Sequence, residues 1–281
     1  MNTLSIEQKA AVVRGLVEGA SIRAIARMTG RDKETVMKVL CDVWEFASIY
    51  QHNMLRALPC KRVEIDEIWS FVGGKQRRAK LAGQGDLWTY TAICADSKLA
   101  ITWLVGPRSY ESTNQFVGDL STRLAQRVQL TTDGLSWYPV AIENAFGWAR
   151  CDYAQLVKKY AAAETGRYSP PVCVGAEKVP VMGNPDPSKI STSYVERQNL
   201  NMRMQMRRFT RLTNGFSRKA ENHAHAVSLH FMAYNYCRPH GTLTKTFKGR
   251  KVTPAMACEL ADHVWTIEEV LELMNPQRLL H

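Results

Sequence analysis

No apolar run in the sequence approaches the ~18 residues that a membrane-spanning helix needs, which argues against a helical span. The first residues, Met1-Asn2-Thr3-Leu4-Ser5, carry neither a basic start nor an apolar stretch, so no secretory signal is expected there. The seven cysteines are odd in number, scattered and never spaced C-x-x-C. That pattern favours reduced thiols in a cytoplasm over a disulfide framework or a zinc ribbon. Internal repeats and low-complexity tracts are lacking too. With 45% hydrophobic and 22% charged residues, neither wholesale disorder nor a fibrous architecture is expected. At 281 residues the chain is long enough for one large domain or two unequal ones, with a core that needs no staples.

What the chain has in excess is positive charge. The formal net charge is +11, and it is patchy. Residues 197–219 hold seven basic side chains and no acid, residues 75–80 hold four, and residues 238–251 hold five. The rest of the chain is net acidic. Localised basicity on an acidic background is what a phosphate-binding surface requires, so a polyanion is the expected partner.

Residues 4–47 read as three short helices. Ser5 with Gln8 forms a capping box, Ser21 and Asp32 stand as further N-caps, and Gly19 and Gly30 as stops. Val36, Val39, Leu40 and Val43 repeat at helical spacing. Helix, short helix, glycine turn, helix is the helix-turn-helix pattern, whose third element lies in the major groove. Arg31, Lys33 and Lys38 occupy the positions from which such a helix reaches DNA. A plain three-helix dimerisation bundle is the alternative. Residues 48–61 read as a linker. Beyond Pro59 the period changes to two: Arg62–Val72, Leu87–Ala95 and Leu99–Val105 predict three strands of an antiparallel meander. A crossover helix over Glu111–Gln126 leads to a fourth strand, Val128–Thr132, and Tyr153–Lys158 suggests a fifth. Residues 164–191, rich in proline and glycine, read as a long loop or insertion. Helix is expected again from Thr192 for roughly twenty residues and from Ser217 to Asn235, with a C-terminal helical tail over 259–281.

Three acids stand where surface acids are least expected. Asp66 lies inside an apolar strand, Asp133 ends the fourth strand, and Glu196 opens the most basic helix. Hard oxygen donors without Cys or His select Mg²⁺ or Mn²⁺, and two such ions ~4 Å apart clamp both oxygens of an in-line phosphodiester displacement. Glu64 and Glu67, on the same strand as Asp66, are expected to matter far less.

The segments Val63-Glu64-Ile65-Asp66-Glu67-Ile68-Trp69, Thr131-Thr132-Asp133-Gly134 and Ser193-Tyr194-Val195-Glu196-Arg197-Gln198-Asn199 resemble the three catalytic segments of DDE transposases. The downstream runs Arg207-Arg208-Phe209-Thr210-Arg211-Leu212-Thr213-Asn214 and Tyr234-Asn235-Tyr236-Cys237-Arg238-Pro239-His240, with Thr253-Pro254-Ala255, are similar to the IS-one type of bacterial insertion-sequence transposase. The spacing, 67 residues from Asp66 to Asp133 and 63 on to Glu196, suits that family. The resemblance covers roughly residues 60–258. It implies an RNase H-like mixed sheet flanked by helices over 62–258, preceded by a small all-α domain over 1–47. It further implies metal-dependent DNA cleavage and strand transfer with two Mg²⁺ or Mn²⁺ ions held by Asp66, Asp133 and Glu196. Double-stranded DNA, as transposon ends and target, is the implied partner, in a homodimer or larger assembly within the bacterial nucleoid. Arg203, Arg207, Arg208 and Arg211 are expected to grip phosphates, much of the set along one helical stripe. Relatives often carry a cysteine-rich zinc segment before the helix-turn-helix; residues 4–47 lack one, so they alone are expected to recognise the ends. Deleting residues 1–47 is then expected to leave weak, unselective nicking.

His223, His225 and His230 cluster on one predicted helix without a matching Cys/His partner, and core packing is the expected role. Trp69, Trp88, Trp103, Trp137 and Trp148 are read mainly as core. Two other classes fit parts of the sequence: a structure-selective nuclease or resolvase of the same fold, and a helix-turn-helix regulator without catalysis. The strand-embedded aspartates disfavour the regulator.

Overall fold

The computed structural model describes residues 4–161, 172–210 and 213–274. The chain opens with helices α1 (Ile6–Val17), α2 (Ile22–Thr29) and α3 (Lys33–Met54). Strands β1 (Arg62–Val72), β2 (Gly85–Cys94) and β3 (Ala100–Gly106) follow, then α4 (Tyr110–Arg123), β4 (Val128–Thr132) and α5 (Tyr138–Arg150). A hairpin of β5 (Cys151–Ala161) and β6 (Val172–Met182) leads to α6 (Ser193–Gln205) and α7 (Ala220–Met232). The short helices α8 (Gly241–Thr246), α9 (Pro254–Ala257) and α10 (Ile267–Leu273) close the described chain.

The strands form one six-stranded mixed sheet in the order β3-β2-β1-β4-β5-β6, flanked by helices, so the protein is α/β. The β1–β2–β3 meander is antiparallel as its period-two alternation predicts, β4 joins β1 and β5 in parallel, and β6 is antiparallel to β5. The pleat of β1 gives it two distinct faces. Val63 and Ile65 enter the core beneath α4 and α5, whereas Ile68 packs with Val195, Met202 and Phe231 of α6 and α7.

Several elements depart from the sequence expectations. The reading of 48–61 as a linker is corrected, because α3 continues to Met54. Its last turns bury Gln51, which donates to Ala47 O (3.0 Å) and Ser228 O (3.3 Å), and expose Ile49 and Met54; this inverted polarity hides the helix. The expected loop over 164–191 holds strand β6 instead, and residues 162–171 lie outside the described residues. β6 tolerates Gly175 and Pro180 because it is the edge strand, where a missing ladder donor costs little. The three N-terminal helices form as expected, with Gly30 closing α2 in the left-handed conformation (φ 65°). They do not stand apart, however: Val13, Ile25, Val36 and Leu40 share a core with Leu229, Ala233 and Leu271 from α7, the turn after it and α10. Of the expected tail, Ile267–Leu273 is helical, with a capping box at Thr266. Among the described residues, no helix is long and apolar enough to cross a membrane.

Candidate metal centre

Asp66 and Asp133 meet because their strands are parallel neighbours. The register pairs Val63 with Leu130 and Glu64 with Thr131, so Asp66 and Asp133 follow at equivalent places past the end of the ladder. Carboxylate oxygens of Asp66, Glu67 and Asp133 all lie within 4.8 Å of one another. Asp133 is held by its own turn, accepting from Leu135 N at 3.0 Å, while Gln155 Nε2 donates to its carbonyl at 3.1 Å. Asp66 accepts from Asn199 Nδ2 of α6 at 2.8 Å. Burial, then the charges of Glu67 and Asp133, raises the Asp66 pKa to about 8. Glu67 is also raised, first by burial and then by Asp133, and Arg108 and Tyr138 counter this. Arg108 Nε donates to its Oε1 at 2.8 Å and Tyr138 Oη to its Oε2 at 2.9 Å.

Glu196 stands beside this group rather than in it. Its carboxylate pairs with Lys158 Nζ of β5 at 2.5 Å and accepts from Thr192 Oγ1. Its charge still reaches Asp66, as the weakest of the influences raising that pKa. The structure therefore brings two of the three expected acids together and adds Glu67 as the third; Lys158, the nearby cation on β5, holds Glu196 to one side.

Glu64 and Glu67 both have specific partners in the fold. Glu64 is buried and accepts from the backbone N–H groups of Tyr194 (2.7 Å) and Val195 (3.1 Å), in the first turn of α6. An acid facing the unpaired donors and positive end of a helix is favourably placed. It fastens the helix that carries Glu196 and Asn199 to the strand that carries Asp66. Nothing local in the sequence marks this role, because donor and acceptor lie 130 positions apart.

The donor chemistry fits a hard divalent cation. The clustered atoms are all carboxylate oxygens, with no Cys or His among them. The Asn199 carbonyl oxygen, on the same amide that donates to Asp66, is buried without a hydrogen-bond partner. Such an orphaned acceptor beside a cluster of acids calls for a cation or donor near it.

The expected phosphate contacts divide. Arg31 is half-buried, and Lys33 and Lys38 are exposed on the first turns of α3. Farther along the same outer face come Asp42 and Glu45, so its basic character is confined to the N-terminal end. The single helical stripe of arginines does not form, because α6 ends at Gln205 and Met206 is extended. Arg203 lies in the last turn of α6; Arg207 and Arg208 lie in a separate 3₁₀ turn over Arg207–Phe209. Arg207 is exposed. Arg208 turns inward, where its Nη1 donates to Ser217 Oγ at 2.8 Å and burial lowers its pKa to about 10. Arg211 lies outside the described residues. The basic loop around Arg77 and Arg78 is exposed, as are Lys245, Lys248, Arg250 and Lys251.

The histidines are core residues. His223 bridges Ser217 Oγ (3.0 Å) and Ser70 Oγ (3.3 Å), His230 meets Gln198 Nε2 at 3.0 Å, and His225 stacks on Trp44 at 3.8 Å. Trp88 and Trp103 pack against the core, but Trp148 is exposed. No protein-family model matches the chain, and no curated protein matches it.

Proposed function

We propose that this protein is a DNA transposase that cleaves and joins strands at a divalent-metal site built on Asp66, Asp133 and Glu196. The observation that carries the reading is the convergence of Asp66 and Asp133 at the ends of adjacent parallel strands, beside the helix that bears Glu196. The strand order β3-β2-β1-β4-β5, antiparallel and then parallel about β1, is compatible with an RNase H-like core and supports the same reading.

Mg²⁺ or Mn²⁺ held there would supply charge neutralisation and Lewis-acid polarisation. The chain's own residues do the rest. Asp66 and Asp133 furnish the oxygen donors, and Asn199 fixes the orientation of the Asp66 carboxylate. Glu67, held by Arg108 and Tyr138, adds negative charge that draws a cation to the pair. Glu196 on the neighbouring α6, paired with Lys158, would be the third acid to hold the metal, and Lys158 would then be available to a phosphate oxygen. Arg203 and Arg207 hold the flanking phosphates, while Lys33 and Lys38 approach the duplex from α3. In cleavage, a water oxygen bonds to phosphorus as the bond to the 3′ oxygen breaks, leaving a 3′-hydroxyl. In joining, that hydroxyl displaces the 3′ oxygen of a second strand.

The test pairs binding with chemistry on Asp66→Asn. Gel-shift affinity in EDTA near pH 7 is expected to hold, while cleavage in Mg²⁺ or Mn²⁺ falls by several orders of magnitude. Retained cleavage by a folded variant overturns the assignment.

A further inference from the structure

We propose that the cavity on the far side of α6 is an anion site, which takes a phosphate group. The cavity, about 500 Å³, lies between α6, the β2–β3 turn and the segment Arg238–Thr242. Lys98, Arg197, Arg238 and His240 line it, and among the described residues no acid does. Successive turns of α6 present Arg197, Asn201 and Gln205 to it, whereas Glu196 and Asn199 serve the carboxylate side. The helix thus separates an acidic site from a basic one.

The cations are built in rather than scattered. Lys98 is buried, and its backbone adopts the left-handed conformation (φ 63°), which a non-glycine residue takes only against a steric cost. Tyr234 Oη fixes that turn by donating to Lys98 O at 2.8 Å. The Lys98 ammonium lies 3.2 Å from the centre of the Tyr194 ring and donates to Ala95 O. A lysine ammonium has three donors, so one remains for a ligand. Arg238 donates through Nη2 to Val17 O (2.6 Å) and to Glu18, and among the described residues its other guanidinium donors have no hydrogen-bond partner. Arg197 is exposed, with no side-chain partner among the described residues.

Two buried polar atoms in the lining also lack partners: His240 Nδ1 and Gln205 Oε1. Orphaned atoms of this kind on one cavity call for a polar occupant. Burial and the charges of Lys98 and Arg197 lower the His240 pKa, so the surrounding field is positive where its ring stands. A tetrahedral oxyanion offers oxygens to Lys98, Arg197, Arg238 and the imidazole, and in its singly protonated form a donor to Gln205. The site itself does not depend on the transposase reading; only the nucleic-acid source of the phosphate does.

Calorimetric titration of the full chain in EDTA, with pyrophosphate as probe, tests the site while the carboxylates are kept free of metal. Saturable binding is expected, and Arg197→Ala should weaken it about ten-fold, as loss of one charge-assisted contact does. His240→Gln should weaken it as well, and Asp66→Asn should leave it unchanged. A parallel titration with single-stranded oligothymidylate separates the sources. If Arg197→Ala weakens both ligands, the natural phosphate belongs to a nucleic-acid backbone; if it weakens pyrophosphate alone, a free phosphorylated ligand is indicated. Absence of saturable pyrophosphate binding, or wild-type affinity in Arg197→Ala, overturns the proposal. Neither result bears on metal-dependent cleavage, which the Asp66→Asn assay reads separately.

Discussion

Asp66 carries a pH dependence that follows from its surroundings. Its folded-state pKa of about 8 lies above the ordinary carboxylate value, so the metal-free native state keeps a proton that the unfolded chain releases. The contribution to stability is therefore full at acidic pH and is lost as pH rises toward 8. Thermal melts in EDTA should show stability falling across that interval, and Asp66→Asn should flatten the fall and raise Tm at its alkaline end. Metal reverses the preference, because a carboxylate must lose its proton to bind a cation. Titration of Mn²⁺ near pH 7 should release about one proton, measured in buffers of differing ionisation enthalpy, and Asp66→Asn should abolish that release. Proton-neutral binding in the wild type would refute this account. Adjacent arginines should separate as cleanly. Arg207→Ala should weaken DNA binding evenly across sequences and reduce the salt slope by about one. Arg208→Ala should instead cost about 1–3 kcal/mol of stability by removing the charged donor that Ser217 Oγ has besides His223, and leave the salt slope unchanged.

Between elements, the contact that matters most is the cap that β1 places on α6. Glu64→Ala leaves the buried Val195 donor and the part-buried Tyr194 donor unsatisfied, at a cost of about 1–3 kcal/mol. The same change loosens the helix that carries Glu196 and Asn199. Glu64→Ala should therefore lower both Tm and cleavage, and Glu64→Gln, which keeps one acceptor oxygen, should recover most of each. If the two variants lose activity equally while both stay folded, the charge rather than the cap is what counts. Neither this cap nor the place of Glu67 beside Asp66 was legible in the sequence. Period-two alternation located β1 and showed that Asp66 faces away from Val63 and Ile65, but it carries no information about what faces it. The parallel pairing of β1 with β4 brings Asp133 alongside, and the family-like spacing of the acids anticipated that meeting. What the spacing missed was Lys158, placed beside Glu196 by a strand whose partner β6 was disguised by Pro180 and Gly175.

For the molecule as a whole, the consequence lies in how the N-terminal helices are joined to the sheet. Capping residues and the Val36–Val43 pattern marked three helices, and a recognition module severable near residue 47 was the natural extrapolation. The packing contradicts severability. α3 crosses residue 47 without a break, and its Trp44 covers His225 of α7. At the other end of the module, a side chain on Gly19 would overlap the carbonyl oxygen of Gln205, so the turn after α1 presses directly on the end of α6. Arg238 ties the same turn down through Val17 O and Glu18. Deleting residues 1–47 should therefore expose Leu229, Ala233 and Leu271 together, and an apolar face of that kind leads to aggregation rather than to a trimmed enzyme. Lys33→Ala and Lys38→Ala, on the exposed face of α3, ask the same functional question without opening the core. The pair should keep the wild-type melting profile and, on the proposed transposase reading, lose preference for transposon ends over arbitrary duplex, read by competition gel shift. A soluble deletion variant with a sharp thermal transition would show that the shared core is dispensable, and unchanged end preference in the lysine pair would move recognition to another surface.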